Sequence, residues 1–371
     1  MRQERLMSSG TPAAGFGSID CDVHNAVDDI AELFPYLPQR WSDYCVEHGV
    51  TSLAPAFYPG RAALSATPES RSSGRAPGAD PELVRAQVLE RGVDVAILNC
   101  LYAVQPIHNE DWAVAMASAL NDWQAQRWLA ADPRYRASIV VPSQNPQRAA
   151  QEIERLAGHG GFVQVLLLAN SQVPLGNRAH WPIYEAAAAA GLPVGVHPGV
   201  AGGNPPLPVG WPSTYLEEYA GAALAMQSQL TSLVCEGVFS RFPALKVVLL
   251  ESGVTWLPSL MWRLDKNWKG LRREIPWVAD RPSVVIRRHV RLSTAPFDGP
   301  LATEQARDHL PRFLDQLGSV DMLLYSGDHP HWHHRDPEQS LLQFLSPAER
   351  RQVLRDNGLA TYPTILQGAA V

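Results

Sequence analysis

Lysine is scarce and late in this sequence: none precedes Lys246. Basic residues do not dominate either. Lys and Arg total 31 against 37 Asp and Glu, a formal net charge of -6 with a pI near 6.1. A nucleic-acid partner wants a basic face, so none is expected. No apolar run is long enough to span a bilayer, and no membrane partner is expected. The opening Met1-Arg2-Gln3-Glu4-Arg5 leads into no apolar stretch of a leader, so no signal peptide is expected. Cysteine is sparse too. Cys21, Cys45, Cys100 and Cys235 lack metal-type spacing and read as reduced thiols of a cytoplasmic protein.

What is present is a globular composition, 46% hydrophobic and 18% charged. The 371 residues suffice for one large barrel or two ordinary domains. Residues 1–17 read as a loose polar arm. The remainder, 18–371, reads as one domain. Within it, residues 51–79 are rich in Pro, Gly, Ser and Ala and predict a long loop insertion over the site or against another subunit. Residues 34–41 form a short amphipathic stretch. Strands are predicted over 18–23, 93–99, 137–141, 162–168, 192–197, 245–250, 289–294 and 322–325. Helices are predicted over 81–91, 109–129, 146–157, 181–190, 214–239, 256–270, 303–317 and 348–356. Eight strands alternating with helices, several apolar throughout, indicate a parallel sheet closed as a (β/α)₈ barrel. A doubly wound open sheet is the alternative. It would want a Gly-rich phosphate turn after the first strand, and Asp22-Val23-His24-Asn25 is not one.

In such a barrel, active residues sit at the C-terminal strand ends. Asp22 and His24 lie two apart on the first strand and so project together. His197 ends the fifth strand, Glu251 the sixth, and Asp328 follows the eighth. Taken singly, each has an ordinary reading as a turn or loop residue. Their conjunction at one mouth points to a divalent metal: Zn, Mn or Fe suit carboxylates and imidazoles, and the lack of thiolates argues against structural zinc. Eleven tryptophans are many, with Trp181, Trp256 and Trp332 beside the candidate site.

The motifs Asp22-Val23-His24, Val196-His197-Pro198-Gly199, Leu250-Glu251-Ser252-Gly253-Val254 and Tyr325-Ser326-Gly327-Asp328-His329-Pro330-His331 resemble the amidohydrolase superfamily. They are most similar to the amidohydrolase 2 branch of aminocarboxymuconate-semialdehyde and hydroxybenzoate decarboxylases. The resemblance implies a distorted barrel, one metal, and Asp22, His24, His197 and Asp328 as ligands. Relatives carry a histidine after strand six where this chain has Glu251. Of the His-rich eighth motif, His331 matches a histidine common in the branch, while His329, His333 and His334 are expected to be solvated. Binuclear members bridge their metals through a carboxylated lysine on strand four, and no lysine stands there. A second metal would need Glu251 and His331.

Two enzymatic readings follow. One is hydrolysis or non-oxidative decarboxylation of a small carboxylate-bearing or aromatic substrate, with Asp328, Glu251 and His331 as catalytic groups. The other is a dinuclear non-haem iron, or mixed-metal, O₂-dependent hydroxylase on the same barrel. A third, non-enzymatic reading is a metal-binding subunit of a larger complex. A homo- or hetero-oligomer is expected.

Overall fold

A computed structural model describes residues 17–53, 66–199, 204–299, 306–331 and 341–365. Its core is a ring of eight short parallel strands: β1 (Ile19–Val23), β2 (Val95–Leu98), β3 (Tyr135–Val140), β4 (Phe162–Leu168), β5 (Val194–His197), β6 (Val247–Leu249), β7 (Val290–Ser293) and β8 (Leu323–Leu324). Each pairs with the next in chain order. Backbone bonds then close β8 onto β1: Cys21 N donates to Tyr325 O at 3.0 Å, Asp328 N to Asp22 O at 3.0 Å, and His24 N to His329 O at 2.7 Å. The expected (β/α)₈ barrel is therefore the fold, and the open-sheet alternative is excluded.

The helices are α1 (Gln39–Glu47), α2 (Pro81–Gln87), α3 (Glu110–Trp123), α4 (Pro146–Leu156), α5 (Trp181–Ala189), α6 (Tyr215–Cys235), α7 (Val238–Arg241), α8 (Leu257–Leu271), α9 (Pro282–His289), α10 (Ala306–Leu317), α11 (Pro347–Arg351) and α12 (Asn357–Thr361). Their starts follow local chemistry. Asp80 accepts from Glu82 N and Leu83 N ahead of Pro81, and Thr214 closes a capping box with Glu217 at α6. The helix expected over 214–239 breaks at Gly237, whose φ of 79° ends α6 and starts α7. A Cβ there would lie 2.3 Å from the Trp277 ring. Helix α9 was not expected. Pro282 opens it, and Val285 and Ile286 bury its inner face. Among the described residues, no helix is long and apolar enough to cross a membrane.

Two apolar clusters divide the core. The larger lies between the strands and the helices. The smaller fills the barrel with Ile19, Cys21, Val95, Ile97 and Val248, and is plugged by Tyr362 and Ile365 after α12. Arg136, at the start of β3, holds Ile365 O through Nε and Nη2 at 3.2 and 3.0 Å, so this plug sits at the N-terminal end. Register slips by one residue in β1, between Asp20 and Val23, and in β4 opposite Ala137 and Ser138. These bulges interrupt strict alternation, so adjacent residues such as Cys21 and Asp22 both face inward.

The helical layer is keyed to the barrel by Asn121 on α3. Its side chain is fully buried, accepting from Val140 N and donating to Val140 O and to the Glu152 carboxylate of α4. Asn121→Ala leaves these partners, and Gln124 Nε2, which also donates to Asn121 Oδ1 at 3.3 Å, each short of a bond. It should lower unfolding free energy by about 2 kcal/mol or more, read from the urea midpoint.

Candidate active site

The C-terminal strand ends bring all six sequence-derived residues together. His24 Nε2 lies 3.5 Å from Asp22 Oδ1 and 3.1 Å from Asp328 Oδ1. His197 Nε2 lies 3.7 Å from Asp22 Oδ2 and 3.1 Å from Glu251 Oε2. His331 Nδ1 contacts Asp328 Oδ1 at 2.7 Å. The donor atoms fall into two overlapping sets, Asp22 with His24 and His197, and His24 with Glu251, Asp328 and His331. Within each set they lie no more than 4.8 Å apart. Among the described residues, every ion pair of Asp22, Glu251 and Asp328 is to a histidine.

Burial sets the electrostatics. Asp22 and Asp328 are fully buried. Burial raises the Asp22 carboxyl above its ordinary range, against the pull of His24 and His197. Burial would also lower the His24 imidazole, but Asp22 and Asp328 outweigh it and push it up to about 10. Burial works against the Asp328 carboxylate too, yet His331 and His24 hold it well below the usual range. Earlier on β1, burial pushes Asp20 up to about 7, although Gly327 N and Asp22 N donate to it.

The backbone is bent to present these groups. Glu251 (φ 45°) and Asp328 (φ 58°) adopt left-handed conformations that side chains other than glycine rarely take. Such strain costs about 1–3 kcal/mol per residue and clusters at functional sites. At Glu251 it is held from three sides. Ser293 Oγ accepts from Glu251 N at 2.8 Å, and Tyr219 OH on α6 donates to Glu251 Oε1 at 3.1 Å. Asp298 takes the Val254 and Thr255 amides at 3.0 and 3.1 Å. Gly253, at φ 67°, leaves room for Asp298, whose Oδ2 would lie 2.5 Å from a Cβ.

A divalent cation fits the donor set on this structure's own terms. Asp22 Oδ2, His197 Nε2 and Asp328 Oδ2 are buried without a hydrogen-bond partner. His197 Nε2 is close to Glu251 yet out of hydrogen-bonding alignment. An unmet buried polar atom costs about 1–3 kcal/mol, and a cation would satisfy several at once. The imidazoles are fixed for that role. His24 Nδ1 faces Asn99 O at 3.1 Å and His197 Nδ1 faces Pro198 O at 2.7 Å, leaving each Nε2 toward the centre.

Two expectations are corrected. His329 is buried, 1% exposed, because its backbone closes the barrel beside β1. Trp181 stands in the helical layer, edge-on to Phe242 with Arg178 over its ring, and packs there. Trp332, His333 and His334 lie outside the described residues. Sequence reasoning missed Asn99, Tyr219 and Asp298. Asn99 directly follows a barrel strand, a signal that was available; Tyr219 on a helix and Asp298 on a loop carried none. Gly253→Ala should destabilise the protein by about 2 kcal/mol through strain at positive φ and the Asp298 collision. A melting temperature within a degree of wild type would refute the account of this turn.

The family description Amidohydrolase matches residues 19–364. A gamma-resorcylate decarboxylase of Polaromonas sp. (strain JS666 / ATCC BAA-500) is 29% identical over 221 residues, 54% of this chain and 62% of that protein. One from Rhodococcus jostii (strain RHA1) is 27% identical over 206 residues, 50% of this chain and 60% of that protein. The chain thus aligns with less than two thirds of each of these curated relatives. Among solved structures, a dihydroxybenzoic acid decarboxylase from Polaromonas sp. JS666, with bound manganese and the inhibitor 2-nitroresorcinol, superposes with a TM-score of 0.68 at 23% identity, covering 94% of this chain and 97% of that one. A 5-carboxyvanillate decarboxylase from Novosphingobium aromaticivorans DSM 12444, complexed with manganese and 4-hydroxy-3-methoxy-5-nitrobenzoic acid, gives 0.68 at 19%, covering 94% and 96%. At these identities the structures speak for the fold. The match over 19–364 is to nearly the whole chain, which therefore belongs to the amidohydrolase family.

Proposed function

We propose that this chain is a metal-dependent decarboxylase of small aromatic carboxylates. The observation that carries the reading is the buried, partner-short donor set of Asp22, His24, His197 and Asp328 at the barrel mouth. The relatives supply the reaction class. Manganese, bound in the two solved decarboxylases, is the first ion to test, ahead of zinc or iron. Held by Asp22, His24, His197 and Asp328, such an ion would supply Lewis-acid stabilisation of the negative charge on the substrate.

The chain's own residues then do three things. Burial of the cluster keeps bulk water from the reacting carbon. Asp328 Oδ1 holds the His331 Nδ1 proton at 2.7 Å, and Asp328 raises the basicity of that imidazole against the effect of burial. The other proton of the imidazolium held in this way is the one to be delivered to the ring carbon bearing the carboxylate, so that the C–C bond can break. Its electron pair stays with the ring, and CO₂ leaves. Tyr219 holds Glu251 Oε1, which aims Oε2 at His197.

Hydrolysis at the same centre is tested in parallel with an ester panel. The O₂-dependent alternative gains no support from relatives named as decarboxylases. A second ion would have Glu251 and His331 as the donors not already assigned to the first, within the set His24, Glu251, Asp328 and His331. Of residues 51–79, 54–65 lie outside the described residues; 66–79 we read as cover over the mouth: Thr67 N donates to Pro330 O at 2.9 Å, and Ala26 N to Gly78 O at 2.9 Å. A cytoplasmic location and an oligomer belong to the same reading.

The deciding experiment is CO₂ release from hydroxylated benzoates by protein reconstituted with Mn²⁺, alongside metal analysis of protein purified without added metal. Fully loaded protein that is inert on the panel overturns the decarboxylase reading. His24→Ala and His197→Ala should each strip most bound metal and leave the fold intact. Glu251→Gln separates two roles: a ligand loses metal stoichiometry, whereas a proton carrier keeps it and loses roughly 10²–10⁴ in turnover. Unchanged metal and unchanged turnover would leave Glu251 a structural carboxylate.

A further inference from the structure

We infer that Asn99 is the positioning residue for both strand-one ligands, and that Gln164 and Tyr362 hold it in place from the closed end of the barrel. The inference rests on the reading of Asp22 and His24 as metal ligands.

Asn99 follows β2 and is fully buried. Its amide nitrogen donates to Asp22 Oδ1 at 2.8 Å and to Cys21 O at 3.0 Å. Its main-chain carbonyl faces His24 Nδ1 at 3.1 Å. One residue therefore orients the carboxylate and selects the tautomer of the imidazole. The two oxygens of Asp22 divide the work. Oδ1 is taken by Asn99, and Oδ2 is left buried and unpartnered, facing His197. An asparagine kept only for packing would have no reason to engage a carboxylate whose second oxygen is bare.

The amide of Asn99 cannot flip. Its Oδ1 accepts from Ser138 Oγ at 2.6 Å and from Gln164 Nε2 at 3.1 Å. Turned over, it would set an oxygen against Asp22 and Cys21 O and an NH₂ against the Gln164 NH₂. Gln164 is itself fixed, since Nε2 also donates to Ser138 Oγ at 3.0 Å and Oε1 accepts from Tyr362 OH at 3.1 Å. The β5 backbone makes room for it at Gly195, where a Cβ would stand 2.5 Å from Gln164 Nε2. Tyr362 is the fully buried plug after α12. A continuous set of buried hydrogen bonds thus runs from the C-terminal segment, through the barrel interior, to the face of Asp22 opposite its free oxygen.

The test measures Mn²⁺ affinity by EPR titration of metal-free protein, with melting temperature recorded separately for the metal-free forms. Wild-type protein should bind. Asn99→Leu keeps the volume and removes the donor, and should weaken Mn²⁺ binding roughly ten- to hundredfold. Tyr362→Phe keeps the ring and removes only the hydroxyl, and should weaken it by a few-fold. A merely structural role would lower the melting temperature of the metal-free protein and leave the Mn²⁺ dissociation constant unchanged. Folded Asn99→Leu protein with wild-type affinity overturns the inference. If that variant does not fold, wild-type affinity in Tyr362→Phe overturns it. Wild-type protein that binds no Mn²⁺ would instead overturn the ligand reading itself, and this inference with it.

Discussion

Asp22, Glu251 and Asp328 place three carboxylates in one largely dry space at the mouth of the barrel, and the architecture around them answers that constraint. Charges of one sign cannot be taken out of water together unless something of opposite sign goes with them. Here the compensation comes from imidazoles alone among the described ion pairs, with His24, His197 and His331 set between the carboxylates. The rise of His24 to about 10 and the depression of Asp328 are two sides of that arrangement. Protons on His24 and His331 answer part of the charge that a cation would answer. The bare buried oxygens of Asp22 and Asp328 show that protons do not satisfy the geometry as well as they satisfy the charge.

Strain is concentrated at the same place. Two carboxylate-bearing residues of the site, Glu251 and Asp328, adopt left-handed backbone conformations. Neither is a free loop residue. Glu251 N is held by Ser293, and Asp328 N is part of the closure between β8 and β1. The bonds that close the barrel therefore also aim the site. This explains why the last strand is only two residues long: beyond Leu324 the chain leaves regular pairing to turn Asp328 inward while still bonding β1.

Glu251 is the position where the chain departs from the decarboxylase pattern it otherwise resembles. A histidine there could carry positive charge toward a substrate carboxylate; a glutamate cannot. Tyr219 donates to one of its oxygens and His197 faces the other; burial and the nearby Asp328 raise its carboxyl, and His197 and His331 outweigh them and lower it. On the proposed reading, substrate charge would be met by a bound cation and by His331 rather than from the strand-six side. The site remains suited to the same class of chemistry with its charge redistributed.

Much of this was legible in one sequence. The alternation of apolar strands with capped helices indicated a parallel sheet covered by helices, because periodicity and capping are local properties, and the lack of a Gly-rich turn after the first strand favoured a barrel over an open sheet. The Asp22, His24, His197, Glu251 and Asp328 positions could be named because strand ends in a barrel share one face. Three things needed the tertiary structure. The bulges in β1 and β4 shift which residues face inward, and no local pattern announces an extra residue in a strand. The burial of His329 depends on β8 meeting β1, a contact between chain ends far apart in sequence. The roles of Asn99, Gln164 and Tyr362 exist only because the closed ring brings residues 65 and 198 positions apart into hydrogen-bond range. The candidate positions could be named from strand ends and from the family resemblance; how their side chains are oriented was decided by groups that meet only after the barrel closes.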